Sequence, residues 1–241
     1  MRMPMISASA VLLVTIVGLG CATTPRAGAP GARSSYTTTA VDQQALTPNA
    51  ALTRLRDGNQ RFLSDAMIAR NYGAQVKGTA ADQYPFASVL TCIDSRTTPE
   101  FLFDQGIGDL FVTRVAGNLV DPEILGGLEF ASKVKGSRLV VVLGHTHCGA
   151  IKGACDNVEL GNLTSVIAEL KPAVTATTNV PGERNSHNEA FVHAVTKENV
   201  RLGVAEIRKR SPILAELEAA GKLKVIGVMY DIKTSVVTFL D

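Results

Sequence analysis

The sequence predicts an α/β fold: a mostly parallel sheet with helices on both faces and an antiparallel strand added at its C-terminal edge. Three observations carry this. Strand and helix signals alternate from Phe86 to the end of the chain. The run Leu139-Val140-Val141-Val142-Leu143 has no polar alternation, as expected of a strand covered on both faces in a parallel sheet. The last two strand signals, 223–230 and 234–240, are joined only through Asp231-Ile232-Lys233. That connection is too short for a crossover, so the pair reads as an antiparallel hairpin.

The elements follow in order. Arg2 precedes an apolar run over residues 6–20 that ends at Gly20-Cys21, so residues 1–21 read as an export signal, too short to span a membrane comfortably. A cysteine after small residues resembles a bacterial lipoprotein cleavage site, with Cys21 as the lipidated new N-terminus, although Gly18 stands where leucine is preferred. Ordinary cleavage between residues 22 and 29 and an uncleaved membrane anchor are the alternatives. The chain is therefore expected to be exported, and to be periplasmic or anchored at the cell envelope. Residues 22–45 begin as Ala, Thr, Gly, Pro and Ser with few bulky side chains and read as a flexible tether.

One domain is expected over 46–241. Thr47-Pro48 is an N-cap followed by proline at the first helical position, and Leu52, Leu55, Phe62 and Leu63 continue that helix to about Asp65. Residues 71–83 look irregular. A strand over 86–91, a helical turn at 99–103, a strand over 110–115, a helix from Asp121-Pro122 to Val134 ended by Gly136, and the strand 139–143 come next. Helices follow over 149–155, 160–170 and 189–210, with a short one from Pro212. The composition, 46% apolar and 19% charged, is globular. The net charge is +2 with no basic run, which excludes nucleic acid as a partner.

The chemistry lies in Cys92-Ile93-Asp94-Ser95-Arg96 and Gly144-His145-Thr146-His147-Cys148-Gly149. Cys92, Asp94, His145 and Cys148 form a four-donor zinc set of sulfur, nitrogen and oxygen. Each pair follows a strand, and ligands of such sheets gather outside the carboxyl ends of the strands. Arg96 can hold the Asp94 carboxylate bidentately, freeing the fourth position for a water whose pKa the metal brings toward neutrality. Two thiolates donate charge to zinc, so activity is expected to rise toward alkaline pH. His147, between two ligands, reads as a solvent-facing histidine in preference to a proton shuttle. Cys155 reads as a small buried hydrophobe. Cys92 and Cys148 would be open to disulfide formation if metal were lost.

The motifs Cys92-x-Asp94-Ser95-Arg96 and Gly144-His145-x-x-Cys148-Gly149-Ala150 resemble those of the β-class carbonic anhydrases. Arg114-Val115-Ala116-Gly117-Asn118, Asn199-Val200, Ser211-Pro212, Gly221-Lys222-Leu223 and Tyr230-Asp231 extend the likeness over roughly residues 50 to 241. The resemblance implies reversible hydration of carbon dioxide to bicarbonate and a proton, one Zn2+ per chain, and a four-stranded parallel core sheet with an added antiparallel strand. It also implies a homodimer or homotetramer with the site near the protomer interface. By position, Cys92, Asp94, His145 and Cys148 would hold zinc, and Asp94 with Arg96 would be the catalytic pair. Gln83 would donate a hydrogen bond to substrate from the partner subunit. Gly149 would turn its N–H to the substrate, and Phe111 and Ala116 would line the carbon dioxide pocket. Some bacterial members bind inhibitory bicarbonate at a site using Trp three residues before the first cysteine. Val89 stands there in this chain, which has no Trp, so that site is not expected in its usual form. Two other readings are carried forward: a carbon disulfide or carbonyl sulfide hydrolase of the same fold, and an exported zinc-binding lipoprotein without turnover.

Overall fold

A computed structural model describes residues 33–240. The expected export signal, the Cys21 lipid site and the first part of the tether lie outside the described residues. Among the described residues, no helix is long and apolar enough to cross a membrane.

The elements are α1 (Ala40–Ala45), α2 (Pro48–Leu63), α3 (Tyr72–Thr79), β1 (Ala87–Thr91), α4 (Pro99–Leu102), β2 (Leu110–Arg114), α5 (Pro122–Glu129), β3 (Leu139–His145), α6 (Gly149–Asp156), α7 (Leu163–Ala176), α8 (Glu189–Arg210), α9 (Pro212–Ala219), β4 (Lys224–Tyr230) and β5 (Val237–Leu240). The strands form one sheet in the order β2-β1-β3-β4-β5. The first three pairings along it are parallel and the fourth, β4–β5, is antiparallel, as the sequence predicts.

β1 and β3 are buried along their whole length, which is why neither shows polar alternation. One sheet face meets α2 through Leu52, Leu55, Val89, Val141 and Val228. The other meets α5, α8 and α9 through Leu90, Leu128, Val142, Val204 and Leu214. A third apolar cluster joins α6, α7 and α8 around Ile151, Leu170, Phe191 and Val195, and it includes Cys92, Cys148 and Cys155. Cys155 is thus the small buried hydrophobe expected of it.

Three segments differ from the sequence reading. Residues 71–83 are not irregular: α3 is capped by Asn71, whose Oδ1 accepts from the Ala74 N–H at 3.1 Å. Its one buried residue is Gln75, which donates to the Tyr36 carbonyl and accepts from the Ile107 N–H. A helix anchored by a polar residue leaves no apolar periodicity to read. Within the expected tether, α1 starts at a Thr39–Asp42 capping box, and Gln43 donates to the carbonyls of Pro85 and Lys135, each at 2.7 Å. Again the anchor is polar. The helix expected to end at 170 runs on through Pro172 to Ala176.

Candidate active site

β1 and β3 end side by side, with Thr91 in register with Leu143. The chain leaving β1 gives Cys92, the end of β3 gives His145, and the start of α6 gives Cys148. The donor atoms of these three lie within 4.8 Å of one another, and all three residues are buried. The two Sγ atoms are 3.9 Å apart.

His145 shows what the cluster is for. Its Nδ1 lies 2.9 Å from the Thr146 carbonyl, so that nitrogen carries the proton and Nε2 keeps a lone pair. Nε2 is buried without a hydrogen-bond partner. An unsatisfied buried acceptor is costly, and a metal ion satisfies it. Two sulfurs and one imidazole nitrogen are donors that zinc favours, and they fit it here.

The thiols are fastened differently. The hydrogen bond from Cys148 lowers the Cys92 thiol to about 4 against the cost of its burial, with further help from His145 and from the main chain at Gly117 and Asp94. The same shared proton, together with burial and the Cys92 charge, pushes Cys148 up. Gly117 meets the sulfur from a left-handed turn (φ 71°) in the short 3-10 segment Ala116–Asn118. Asn199 of α8 donates to the Gly117 carbonyl at 2.9 Å, and this places the turn.

Asp94 does not join the three donors. Arg96 holds it with two parallel bonds, Nε to Oδ1 at 2.9 Å and Nη2 to Oδ2 at 2.6 Å, and the Arg96 main-chain N–H adds a third at 3.0 Å. These bonds keep the carboxyl well below the usual carboxylate range although its partial burial opposes them. Its Oδ2 still faces the cluster, 4.0 Å from His145 Nε2. Of the four donors expected for zinc, three are together and the fourth is turned onto arginine.

The remaining expected residues divide. Ala116 adjoins Gly117 and stands by the cluster. Gly149 is exposed and opens α6 directly after Cys148. Phe111 does not reach the cluster of its own protomer. It is the register partner of Ser88, four residues before Cys92 or about 13 Å along the strand, and its ring packs edge-on against Phe130 at 6.2 Å. Gln83 is exposed and precedes β1, toward the opposite edge of the sheet. His147 is half-buried in the left-handed region (φ 56°) and borders a cleft with His193 and Asp231. Val89 is fully buried in the core.

Residues 87–237 match the family described as carbonic anhydrase. The chain belongs to the β-carbonic anhydrase family. It is 35% identical over 191 residues to a Mycobacterium tuberculosis protein named carbonic anhydrase 2, covering 77% of this chain and 89% of that one. It is 34% identical over 189 residues to the carbonic anhydrase of Mycolicibacterium smegmatis, covering 76% and 88%. Its fold is shared with the β-carbonic anhydrase CafA of Aspergillus fumigatus (TM-score 0.62, 23% identity, 80% of this chain and 90% of that one). It is shared too with a tetrameric β-carbonic anhydrase of Sordaria macrospora (TM-score 0.59, 24% identity, 70% and 90%). Hydration of carbon dioxide is the reaction of this family and zinc is its metal. A zinc site of this family therefore accounts for the orphaned His145 nitrogen and the paired sulfurs together.

The sequence reading passed over Gly117 and Asn199 as site residues. Gly117 has a signal, a glycine inside Arg114-Val115-Ala116-Gly117-Asn118, where a positive φ is needed. Asn199 has none, because its effect depends on α8 crossing the turn. Arg114, named only as part of the same motif, donates to the carbonyls of Cys92 and Asp94.

Proposed function

We propose that this β-carbonic anhydrase hydrates carbon dioxide with Asp94 and Arg96 as its working pair. The observation that carries the reading is the bidentate Asp94–Arg96 bond beside a three-donor cluster. Cys92, His145 and Cys148 would hold zinc, which when bound supplies the Lewis acidity that brings proton loss from water into the neutral range. Arg96 keeps Asp94 ionised and turned away from the donors. The Asp94 carboxylate is then an acceptor at the open side of the cluster, able to take a hydrogen bond from the attacking oxygen and orient its lone pair. Ala116 gives an apolar wall beside it. Replacing Asp94 by Asn should leave one zinc per chain and abolish most of the hydration rate in stopped-flow assays. Full activity in that variant would remove Asp94 from the reaction, and loss of zinc with it would make Asp94 a ligand.

Gln83 and Phe111 serve the site of a second copy in this reading, so the active form is a homodimer or homotetramer. Their distance from the cluster of their own protomer supports it, as do Ile93, Phe101 and Ile107, apolar and 62%, 54% and 38% exposed. Gln83→Ala and Asp94→Asn subunits, each impaired alone, should regain activity when mixed and refolded together; no recovery would place Gln83 outside the reaction. The N-terminus belongs to the same proposal: residues 1–21 direct export and Cys21 takes a lipid, holding the enzyme at the cell envelope. The apolar run behind Arg2 that ends at Cys21 supports this. Labelled palmitate should enter the full chain and not its Cys21→Ser variant.

A further inference from the structure

We propose that Arg114 is a positioning residue for this reaction: its guanidinium clamps the main chain that carries both Cys92 and the Asp94–Arg96 pair. The inference rests on the role of Asp94 argued above and extends it to a residue on a different strand.

Arg114 ends β2, in register with Thr91, so it leaves the sheet at the edge where Cys92 begins. Its Nε donates to the Cys92 carbonyl at 3.1 Å, and its Nη2 donates to the Asp94 carbonyl at 2.5 Å and reaches Thr97 Oγ1 at 3.4 Å. Among the described residues no carboxylate lies within ion-pair distance of it. Its planar fork is committed to two carbonyls two residues apart and is free of any competing carboxylate.

The loop needs such a fastening. Once the chain leaves β1, its carbonyls lose their sheet partners and must find others. Thr97 meets part of that need from within the loop, its hydroxyl donating to the Cys92 and Asp94 carbonyls at 3.2 and 2.8 Å. Those bonds close the loop on itself and do not tie it to the sheet. Arg114 supplies the tie from the neighbouring strand. Its donors lie in one rigid plane, so they fix the Cys92 peptide and the Asp94 peptide relative to each other. That relation sets where the Asp94 carboxylate stands against the sulfur donor. A displacement of about 1 Å at a reacting group can cost on the order of 100-fold in rate.

Arg114→Ala and Arg114→Lys would be compared with wild type and Asp94→Asn as zinc-loaded and cobalt-substituted proteins. The readouts are kcat, KM, the visible cobalt spectrum and thermal unfolding. Arg114→Ala is expected to lower kcat roughly 10- to 100-fold, leave KM within about twofold, and shift the cobalt bands because the sulfur donor moves. Arg114→Lys should fall between, since one ammonium cannot span both carbonyls. Wild-type kcat and an unchanged cobalt spectrum in Arg114→Ala would overturn the proposal. If that variant does not fold, a folded Arg114→Lys with wild-type kcat and spectrum would overturn it equally. An Asp94→Asn enzyme with full activity would remove Asp94 from the reaction, while the cobalt spectrum would still report the clamp on Cys92.

Discussion

Gly117→Ala tests whether the turn beside Cys92 is held in its shape by packing. Gly117 has φ 71°, and a Cβ built on it would stand 2.9 Å from both methyls of Leu170. The left-handed backbone costs an alanine about 1–2 kcal/mol. Leu170 is fully buried in the cluster around α6, α7 and α8, so its methyls give way only by repacking, at about 1–3 kcal/mol. The less flexible unfolded chain returns about 0.4–1 kcal/mol. The net loss is roughly 1.5–4 kcal/mol, or about 3–15 °C in Tm for a domain of this size. Differential scanning calorimetry of the zinc-loaded protein measures it. Gly126→Ala is the control: no atom lies within 4 Å of its added Cβ, and inside α5 the change should stabilise by about 0.5–1 kcal/mol. Because Gly117 also bonds the Cys92 sulfur through its main chain, its alanine variant should release zinc faster to a chelator. A Gly117→Ala protein as stable as wild type, with the same zinc release, would refute the reasoning.

Asn199→Ala removes the bond that places the same turn. It leaves the buried Gly117 carbonyl without that donor and should cost about 1–3 kcal/mol in urea unfolding, with faster zinc release as its companion. Removing zinc should lower Tm, and restoring it in excess should raise Tm in proportion to the logarithm of free zinc, because only the folded chain assembles the three donors; a Tm indifferent to zinc would contradict the site. Acid sensitivity should trace partly to Asp104. Burial alone would raise that carboxyl, but Arg61 and Arg70 hold it below its ordinary value. A lowered folded pKa gives stability that is present above the unfolded value of 3.8 and is lost as pH falls through the folded one. Asp104→Asn should therefore be less stable at neutral pH and show a flatter loss below pH ~4, measured by unfolding at several pH values.

The sheet was legible because its signals are local. The run 139–143 announces burial on both faces, and the two cysteine-bearing motifs each follow a strand, so an α/β fold brings them to one edge. The order of strands, with β1 between β2 and β3, is not written in any one segment and is set by how the helices pack the strands together. The same distinction divides the site. Cys92, His145 and Cys148 are recognisable by residue type and spacing. That Asp94 stays on Arg96 depends on the loop geometry that lets the fork meet both oxygens, and spacing alone allows either arrangement. α1 and α3 escaped for another reason. Their buried residues are Gln43 and Gln75, and a hydrophobic pattern cannot reveal a polar anchor.

Phe111 shows where resemblance by position needs the fold. Its position matches a pocket residue, yet in its own protomer it lies about 13 Å along the sheet from the donors, toward the end of β1 that Gln83 precedes. Both residues belong to the stretch leading into β1 or to β2, an edge strand with one neighbour. An edge strand leaves a row of N–H and C=O groups without sheet partners and invites pairing or covering by another chain. The donors are assembled by β1 and β3, both interior to the sheet, and by α6 of the same chain, and need nothing from outside to come together. With Gln83 and Phe111 serving a second copy, as proposed above, the protomer is complete as a metal holder and incomplete as a catalyst. Zinc binding should survive conditions that separate the subunits, and hydration should fail with them.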